Sequence, residues 1–313
     1  MKIVFFGTPD FAVPSLQKVL THPQMQVLAV VTQPDTRRAR GTALQFSPIK
    51  ALATEYQLPI YQPEKLKRDS DTLSALTAMS ADFFVVVAYG QILSPHILAM
   101  PKFACINVHG SLLPKYRGSA PIQWSIVNGE TQTGVTTMLM DAGIDTGAML
   151  LKAETPILPT DQAQSLSARL AHLGADLLVQ TLENFHQIKP IPQDDVQSTY
   201  APMIRKEDWE LILSQPALHL HNRVRGFYPN CWLNFRGDRL KILGTEPVPA
   251  TSSAPIGTIT QIMKNQGFVI QTGDGGLLIK QLQPPNKKTQ SGWDFVNGAR
   301  LNQGESVVVS PCP

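Results

Sequence analysis

The sequence predicts an α/β chain: a mostly parallel sheet with helices on both faces, followed by a small antiparallel β-barrel. Three observations predict it. Short apolar runs alternate with helix-like segments through the first half, the rhythm of βαβ units. One run, "DFFVVVA" (Asp82–Ala88), is apolar at six consecutive positions, as a strand covered on both faces must be. Beyond a proline-bearing stretch at 190–207 the pattern changes to short strands separated by Gly and Asp turns.

The elements follow in order. Lys2–Phe6 is a strand ending at Gly7, and Pro14–Leu20 is a helix with proline in its first turn. Gln26–Thr32 is β-branched and apolar, hence a strand. Ser47 and Pro48 read as N-cap and first residue of a helix running to Tyr56. Asp69–Met79 is a helix, and the Asp82–Ala88 strand follows it. "CINV" ends a further strand, Ala120–Asn128 is a helix, and Gly134–Met140 and Ala148–Ala153 are strands. Asp161–Phe185 is a long helix capped by Thr160, with Leu166, Leu170, Leu173, Leu177 and Leu178 at three- and four-residue spacing. Residues 190–207 read as a linker. Trp209–Asn222 is a helix, and "WLNF", "RLKIL", "GTITQIM", "GFVIQT" and "GLLIKQL" are the closing strands. The division is 1–189, 190–207 and 208–313.

Composition bounds the function classes. A chain of 313 residues, 43% hydrophobic, has the length for two domains with proper cores. No apolar run approaches a membrane span. The opening Met-Lys-Ile-Val-Phe-Phe is cut short by Gly-Thr-Pro-Asp, so it reads as a buried first strand rather than a signal peptide. Cys105, Cys231 and Cys312 form neither a CxxC pair nor an even framework, and a reducing, cytoplasmic setting fits them. The net charge of +3 resides in 208–313, which carries ten Lys and Arg against seven Asp and Glu. A weakly basic domain is either merely well solvated or a surface for phosphate.

The chemistry-bearing residues are Asn107 and His109 in "CINVHGSLLPKYRGSAPI" and Asp145 in "MDAGIDTGAML". In an extended chain residues i and i+2 share a face, so Asn107 and His109 project together from the carboxyl end of a strand. Open α/β sheets place their sites at such ends. Asp145 lies in a Gly-rich loop and reaches the imidazole only through the fold. An amide, an imidazole and a carboxylate suit acyl chemistry at a carbonyl. Each residue taken singly is equally readable as structural, Asp145 as a turn residue. A metal site lacks a second His or Cys at ligand spacing. G-x-G-x-x-G and G-x-x-x-x-G-K-[ST] are absent, so the sheet is Rossmann-like in topology without a dinucleotide or ATP signature. Leu112 and Leu113 read as core. Arg37, Arg38 and Arg40 read as a solvated loop or as a grip on an RNA backbone.

The stretches "KIVFFGTPDFAVPSL", "NVHGSLLPKYRGSAPIQWSIVNGE" and "TGVTTMLMDAGIDTGAMLL" closely resemble the formyltransferase family that uses 10-formyltetrahydrofolate. "GTITQIMKNQGFVIQTGDGGLLIKQLQPPNKKTQSGWDFVNGARL" resembles the accessory domain of its tRNA-formylating members, and the resemblance spans nearly the full length. It implies that the C-terminal barrel is OB-like and binds tRNA. It also implies transfer of a formyl group from 10-formyltetrahydrofolate to the α-amino group of methionine on initiator methionyl-tRNA, without a metal. It carries the catalytic roles to Asn107, His109 and Asp145. The folate site falls on Gln91, Ile92, Leu93, Ser111, Leu112, Leu113, Pro114 and Asp141. The tRNA contact falls on Arg40, with Arg37 and Arg38 beside it. Two departures stand out: Thr42 and Ala43 replace lysines common after the Arg-Gly pair, and Met203 replaces a lysine common in the linker.

In that mechanism Asn107 and a protonated His109 donate to the oxygen that gains charge. Asp145 orients His109, favours its charged form and takes the proton lost by the amine. No acyl-enzyme is needed, since Ser111 has no evident base. The rivals are formyl transfer to a nucleotide-sugar amine, hydrolysis of the folate, and a non-catalytic RNA-binding module. The expected molecule is a cytoplasmic monomer with no membrane partner.

Overall fold

The structure, a computed structural model, describes residues 1–37, 44–249 and 253–307. In chain order the elements begin β1 (Lys2–Gly7), α1 (Val13–Thr21), β2 (Gln26–Val31), β3 (Thr36–Arg37), β4 (Leu44–Gln45), α2 (Pro48–Glu55) and β5 (Ile60–Tyr61). Next come α3 (Ser70–Ala78), β6 (Phe83–Val87), α4 (Pro95–Leu98), β7 (Ala104–His109), α5 (Pro121–Val127), β8 (Gln132–Leu139), β9 (Met149–Pro156) and α6 (Ala163–Glu183). The chain then forms α7 (Ala217–Gly226), β10 (Trp232–Phe235), β11 (Asp238–Val248), β12 (Ile259–Met263), β13 (Gly267–Gln271), β14 (Gly276–Gln283), β15 (Gln290–Ser291) and α8 (Gly292–Ala299).

Two compact units result. The first comprises Met1–Pro121, Gln132–Pro156 and Ser165–Pro202; the second comprises Ile122–Thr131, Ile157–Gln164 and Met203–Pro313. These units cut across the sequence-based boundaries. Residues 190–202, read as linker, group with the first unit because their polar groups find partners there: Ile191 exchanges backbone bonds with Met149, and Thr199 and Ala201 pair with Arg117.

The first unit is built on a seven-stranded sheet ordered β5-β2-β1-β6-β7-β8-β9. Neighbours from β5 to β7 run parallel; β8 is antiparallel to β7, and β9 to β8. Both faces are covered. Ile3, Phe5, Phe83, Val85 and Val87 pack with Leu16, Ile49 and Leu178 of α1, α2 and α6. Val4, Phe6, Phe84 and Val86 pack on the opposite face with Leu76 and Ile97 of α3 and α4. The period-2 split is what makes these strands read as uninterrupted apolar runs. Local signals also hold. Ser47 Oγ accepts from Lys50 N at 3.0 Å ahead of Pro48, and Asp69 Oδ1 accepts from Thr72 N at 2.9 Å to start α3.

The second unit carries an antiparallel sheet ordered β10-β11-β14-β13-β12, with β15 on β14. Its core gathers Phe235, Ile242, Phe268, Ile270 and Ile279 with Leu220 and Val224 of α7 and Phe295 of α8. One expectation is corrected here. The helix read over Trp209–Asn222 begins at Ala217, with Pro216 as its N-cap, and runs to Gly226. Proline lacks the N–H that a helix interior requires, so the helix starts after it.

On α7, burial pushes the His221 imidazole down to about 4, with the Arg225 cation pushing the same way and Glu246 opposing. Its Nδ1 lies 3.0 Å from Thr245 Oγ1. The unfolded chain therefore binds this proton more readily than the folded one, so stability is present above about pH 6.5 and is lost as pH falls toward 4. Urea unfolding between pH 7 and 4 is expected to show a smaller loss in His221→Gln than in wild type; parallel pH dependences would contradict this assignment.

Candidate active site

β7 brings Asn107 and His109 to the same side of the sheet, while Val108 between them packs into the core beneath. Asn107 is half-buried, and the His109 side chain is 6% exposed. The loop from β8 to β9 delivers Asp145. Asp141 braces the loop: its Oδ1 accepts from Gly143 N at 3.0 Å and from the Thr146 hydroxyl at 2.7 Å. Gly147 is needed where the loop closes, since a Cβ there would collide with the Leu139 carbonyl. Asp145 itself sits at φ +55°, a left-handed conformation that Asp tolerates better than most residues.

The three groups meet. Asn107 Nδ2 lies 3.5 Å from Asp145 Oδ1, and His109 Nδ1 lies 3.6 Å from Asp145 Oδ2. Asp145 Oδ2 also accepts from Gly118 N at 2.9 Å. His109 Nε2 lies 2.9 Å from the Tyr116 carbonyl. A carbonyl only accepts, so Nε2 carries a hydrogen, and Nδ1 is the nitrogen that faces Asp145. This arrangement refines the expectation for Asp145: Tyr116 sets the ring's orientation, and Asp145 supplies charge beside Nδ1.

Asn107 and Asp145 open onto a cavity of about 140 Å³ lined also by Gln91, Ile92, Leu93, Met138, Met140, Asp141, Gly143 and Ile144. Ile92 and Ile144 are 76% and 54% exposed, a large apolar surface for a polar rim to leave bare. The Gln91 side chain is committed inward: its Oε1 accepts from Leu66 N at 2.9 Å and its Nε2 donates to the Pro63 carbonyl at 3.0 Å. At Gln91 only the backbone is therefore left for a ligand, while the Ile92 side chain beside it stays bare. The donor set, an apolar floor with an amide, carboxylates and backbone at its edge, fits a flat heterocycle with polar margins.

The segment 111–114 lies elsewhere. Ser111 is fully buried, its hydroxyl donating to the Lys115 carbonyl at 2.6 Å. Leu113 is fully buried against Met138 and Met149. Leu112 and Pro114 are half-buried and, like Ser111 and Leu113, are not among the cavity's lining residues. The folate role that the resemblance implies for these four therefore lies outside this cavity's lining, with Leu112 and Pro114 keeping part of their surface exposed. Arg37 ends β3, while Arg38 and Arg40 lie outside the described residues. Among the described residues there is no cluster of three or more His, Cys, Asp or Glu that could hold a metal ion. Sequence reasoning missed Tyr116, Gly118 and Gln193. Gln193 Nε2 donates to the carbonyls of Asp145 and Gly147, both at 2.8 Å. The first two sit inside a quoted motif, but they act through backbone atoms that no residue type announces. Gln193 lies in a stretch whose prolines signal a linker.

The family model for formyl transferase matches residues 1–182, and that for the formyl transferase C-terminal domain matches residues 203–300. The chain belongs to the formyl transferase family. It is 54% identical to the methionyl-tRNA formyltransferase of Trichormus variabilis, over 97% of this chain and 98% of that relative. It is 52% identical to the methionyl-tRNA formyltransferase of Synechocystis, over 96% and 98%. Among solved structures, the N-formyltransferase from Helicobacter canadensis in complex with folinic acid and dTDP-3-aminofucose has a TM-score of 0.68 at 22% identity, covering 90% of this chain and all of that one. A sugar 3N-formyl transferase has a TM-score of 0.65 at 23% identity, covering 92% and 99%. These two share the fold. No helix among the described residues is long and apolar enough to cross a membrane.

Covering an isoleucine side chain stabilises by about 1.5–3 kcal/mol, and 1.4 kcal/mol is tenfold in affinity. Ile92→Asp is therefore expected to weaken a non-transferable folate analogue by about tenfold or more without lowering Tm. Leu113→Asp should instead lower Tm sharply, because it buries an unpaired charge. Isothermal titration beside thermal melting distinguishes the two, and unchanged affinity in Ile92→Asp would remove this wall from the site.

Proposed function

We propose that this chain transfers the formyl group of 10-formyltetrahydrofolate to the α-amino group of methionine on initiator methionyl-tRNA. The observation that carries the reading is the convergence of Asn107 and His109 on Asp145, with Asn107 and Asp145 opening onto one cavity. Relatives named methionyl-tRNA formyltransferase, matching over nearly the whole chain, support the acceptor.

The folate supplies an electrophilic formyl carbon. The protein's work is to hold that group, to stabilise the negative charge its oxygen gains, and to move one proton. The Asn107 amide is a preorganised donor for that oxygen. His109, charged, adds a donor at Nδ1 while its Nε2–H stays engaged with Tyr116. The Asp145 carboxylate lies beside both and takes the proton that the amine sheds as its nitrogen becomes an amide. His109 gives its Nδ1 proton to the departing folate nitrogen, and Asp145, 3.6 Å from Nδ1, returns to it the proton taken from the amine, so both groups regain their starting state. The Gly118 N–H holds the carboxylate in position throughout.

Removing one oxyanion donor costs roughly 100- to 1,000-fold in turnover and removing a general base roughly 100- to 10,000-fold, so Asn107→Ala and His109→Ala on the first scale, and Asp145→Ala on the second, should retain fold and tRNA binding and lose transfer. A folded variant with near-normal turnover would strip its residue of the role.

The acceptor is tested separately. Arg37, Arg38 and Arg40 are assigned to the RNA backbone, with Arg37 and Arg38 sharing the task of Arg40. The triple alanine variant should formylate charged tRNA more slowly than Arg40→Ala. It should spare slow hydrolysis of the donor, and its deficit should shrink as salt rises. Charged initiator tRNA, a nucleotide-sugar amine and water are offered in parallel with the formyl donor. Consumption with the sugar amine rather than tRNA would overturn the acceptor assignment.

A further inference from the structure

The geometry points to Gln193, supported by Arg117, as a positioning residue that holds the Asp145 loop in its working conformation; this rests on the formyl-transfer reading above. The loop needs such a support. Asp145 stands in left-handed backbone that costs free energy unless its surroundings impose it. Bracing by Asp141 reaches Gly143 and Thr146. It does not reach the carbonyls of Asp145 and Gly147. Those two carbonyls are claimed by one side-chain amide, Gln193 Nε2, at 2.8 Å each. A primary amide has two N–H groups, and here both are spent on the residue that bears the carboxylate and on the glycine two positions later.

The amide is itself oriented. Gln193 Oε1 accepts from Arg117 Nε at 2.9 Å, and Arg117 donates a second bond to Asp195 Oδ1 at 2.8 Å. That contact settles which end of the amide faces the loop, since a guanidinium can only donate. Arg117 stands between the two backbone atoms that touch the site: Tyr116 O, which accepts from His109, and Gly118 N, which donates to Asp145. The backbone of Arg117 is pinned in turn by the segment 191–201, a strap across it, through Arg117 N to Thr199 O at 2.9 Å and Ala201 N to Arg117 O at 2.7 Å. A Cβ at Gly118, where φ is +110°, would meet the Ala201 carbonyl at 2.8 Å. The strap 191–201 thus meets the site from two directions: Gln193 fixes the carboxylate's backbone, and residues 199–201 fix the turn that orients the imidazole. A displacement of about 1 Å at reacting groups can cost 100-fold in rate. Gln193 touches neither Asp145's carboxylate nor the cavity, so its effect must pass through the loop.

The test uses the full chain with Gln193→Ala and Gln193→Glu. The second keeps volume and replaces both donors with a carboxylate that still suits Arg117. With charged initiator tRNA and the formyl donor, kcat is expected to fall by about tenfold or more, with KM for the donor changed by no more than about twofold. The pH–rate profile should shift, because the carboxylate no longer keeps its distance from His109 Nδ1. A purely structural role would lower Tm and leave the kcat and pH profile of the folded fraction unchanged. In the Asp145→Asn background, Gln193→Glu should cost no more than about a further twofold, since both losses pass through one group. Wild-type kcat and pH profile in folded Gln193→Glu, or a full multiplicative loss in the double variant, would overturn the assignment. Failure of both variants to fold would make Gln193 a structural residue and overturn it equally. Wild-type protein that transfers formyl to no acceptor sinks the functional reading instead, before any variant is compared.

Discussion

Everything in the site depends on holding one carboxylate beside an imidazole and an amide that stand far from it in the chain. Asp145 follows Asn107 by 38 residues, and it sits on a loop with no ladder of its own. A loop of that kind loses conformational entropy when it is fixed. Here the fixing falls to particular polar contacts: Asp141 on Gly143 and Thr146, Gly118 N on the carboxylate, and Gln193 on two carbonyls. Each bond has a modest net value alone. Together they define the position of Asp145 in a segment whose glycines would otherwise allow many conformations.

The other two groups need less support because β7 supplies it. β7 lies inside the seven-stranded sheet, between β6 and β8, and Ile106 and Val108 are buried in the same core as β1 and β6. A strand held on both edges and both faces has little freedom to shift register, and a one-residue slip would send Asn107 and His109 to the opposite face. Burial to 6% exposure limits the imidazole to few rotamers, and the bond to Tyr116 selects among its protonation arrangements. The rigid partner is thus a strand and the adjustable partner is a loop, a common division between scaffold and chemistry.

The likeness to solved structures illustrates why a fold does not name an acceptor. Sugar N-formyltransferases share this architecture at 22–23% identity, with TM-scores of 0.65 and 0.68. A formyl donor and an amine impose similar demands at the reacting carbon whatever the amine is attached to. The acceptor's body is recognised outside that centre, by surfaces that vary freely between members. Identity above one half over nearly the whole chain is a different order of likeness, and it lies with the tRNA-formylating relatives.

The sequence by itself determined the sheet, most of the helices and the placing of Asn107 and His109 on one face at a strand end. Apolar periodicity, caps such as Ser47-Pro48 and the i, i+2 spacing of Asn107 and His109 are local signals, and local signals are written in consecutive residues. The family resemblance extended that reading to function. It did not reveal that Ser111 and Leu113 face inward, that α7 starts only after Pro216, or that 190–202 is bound to the first unit. Those points were decided by tertiary structure. Burial of a single side chain depends on what packs over it. Tyr116 and Gly118 contribute backbone atoms that every residue type shares, and Gln193 contributes an amide whose partners lie 46 and 48 residues away. A contact between groups so distant in the chain has no consecutive pattern to betray it, and only folding brings its two halves together.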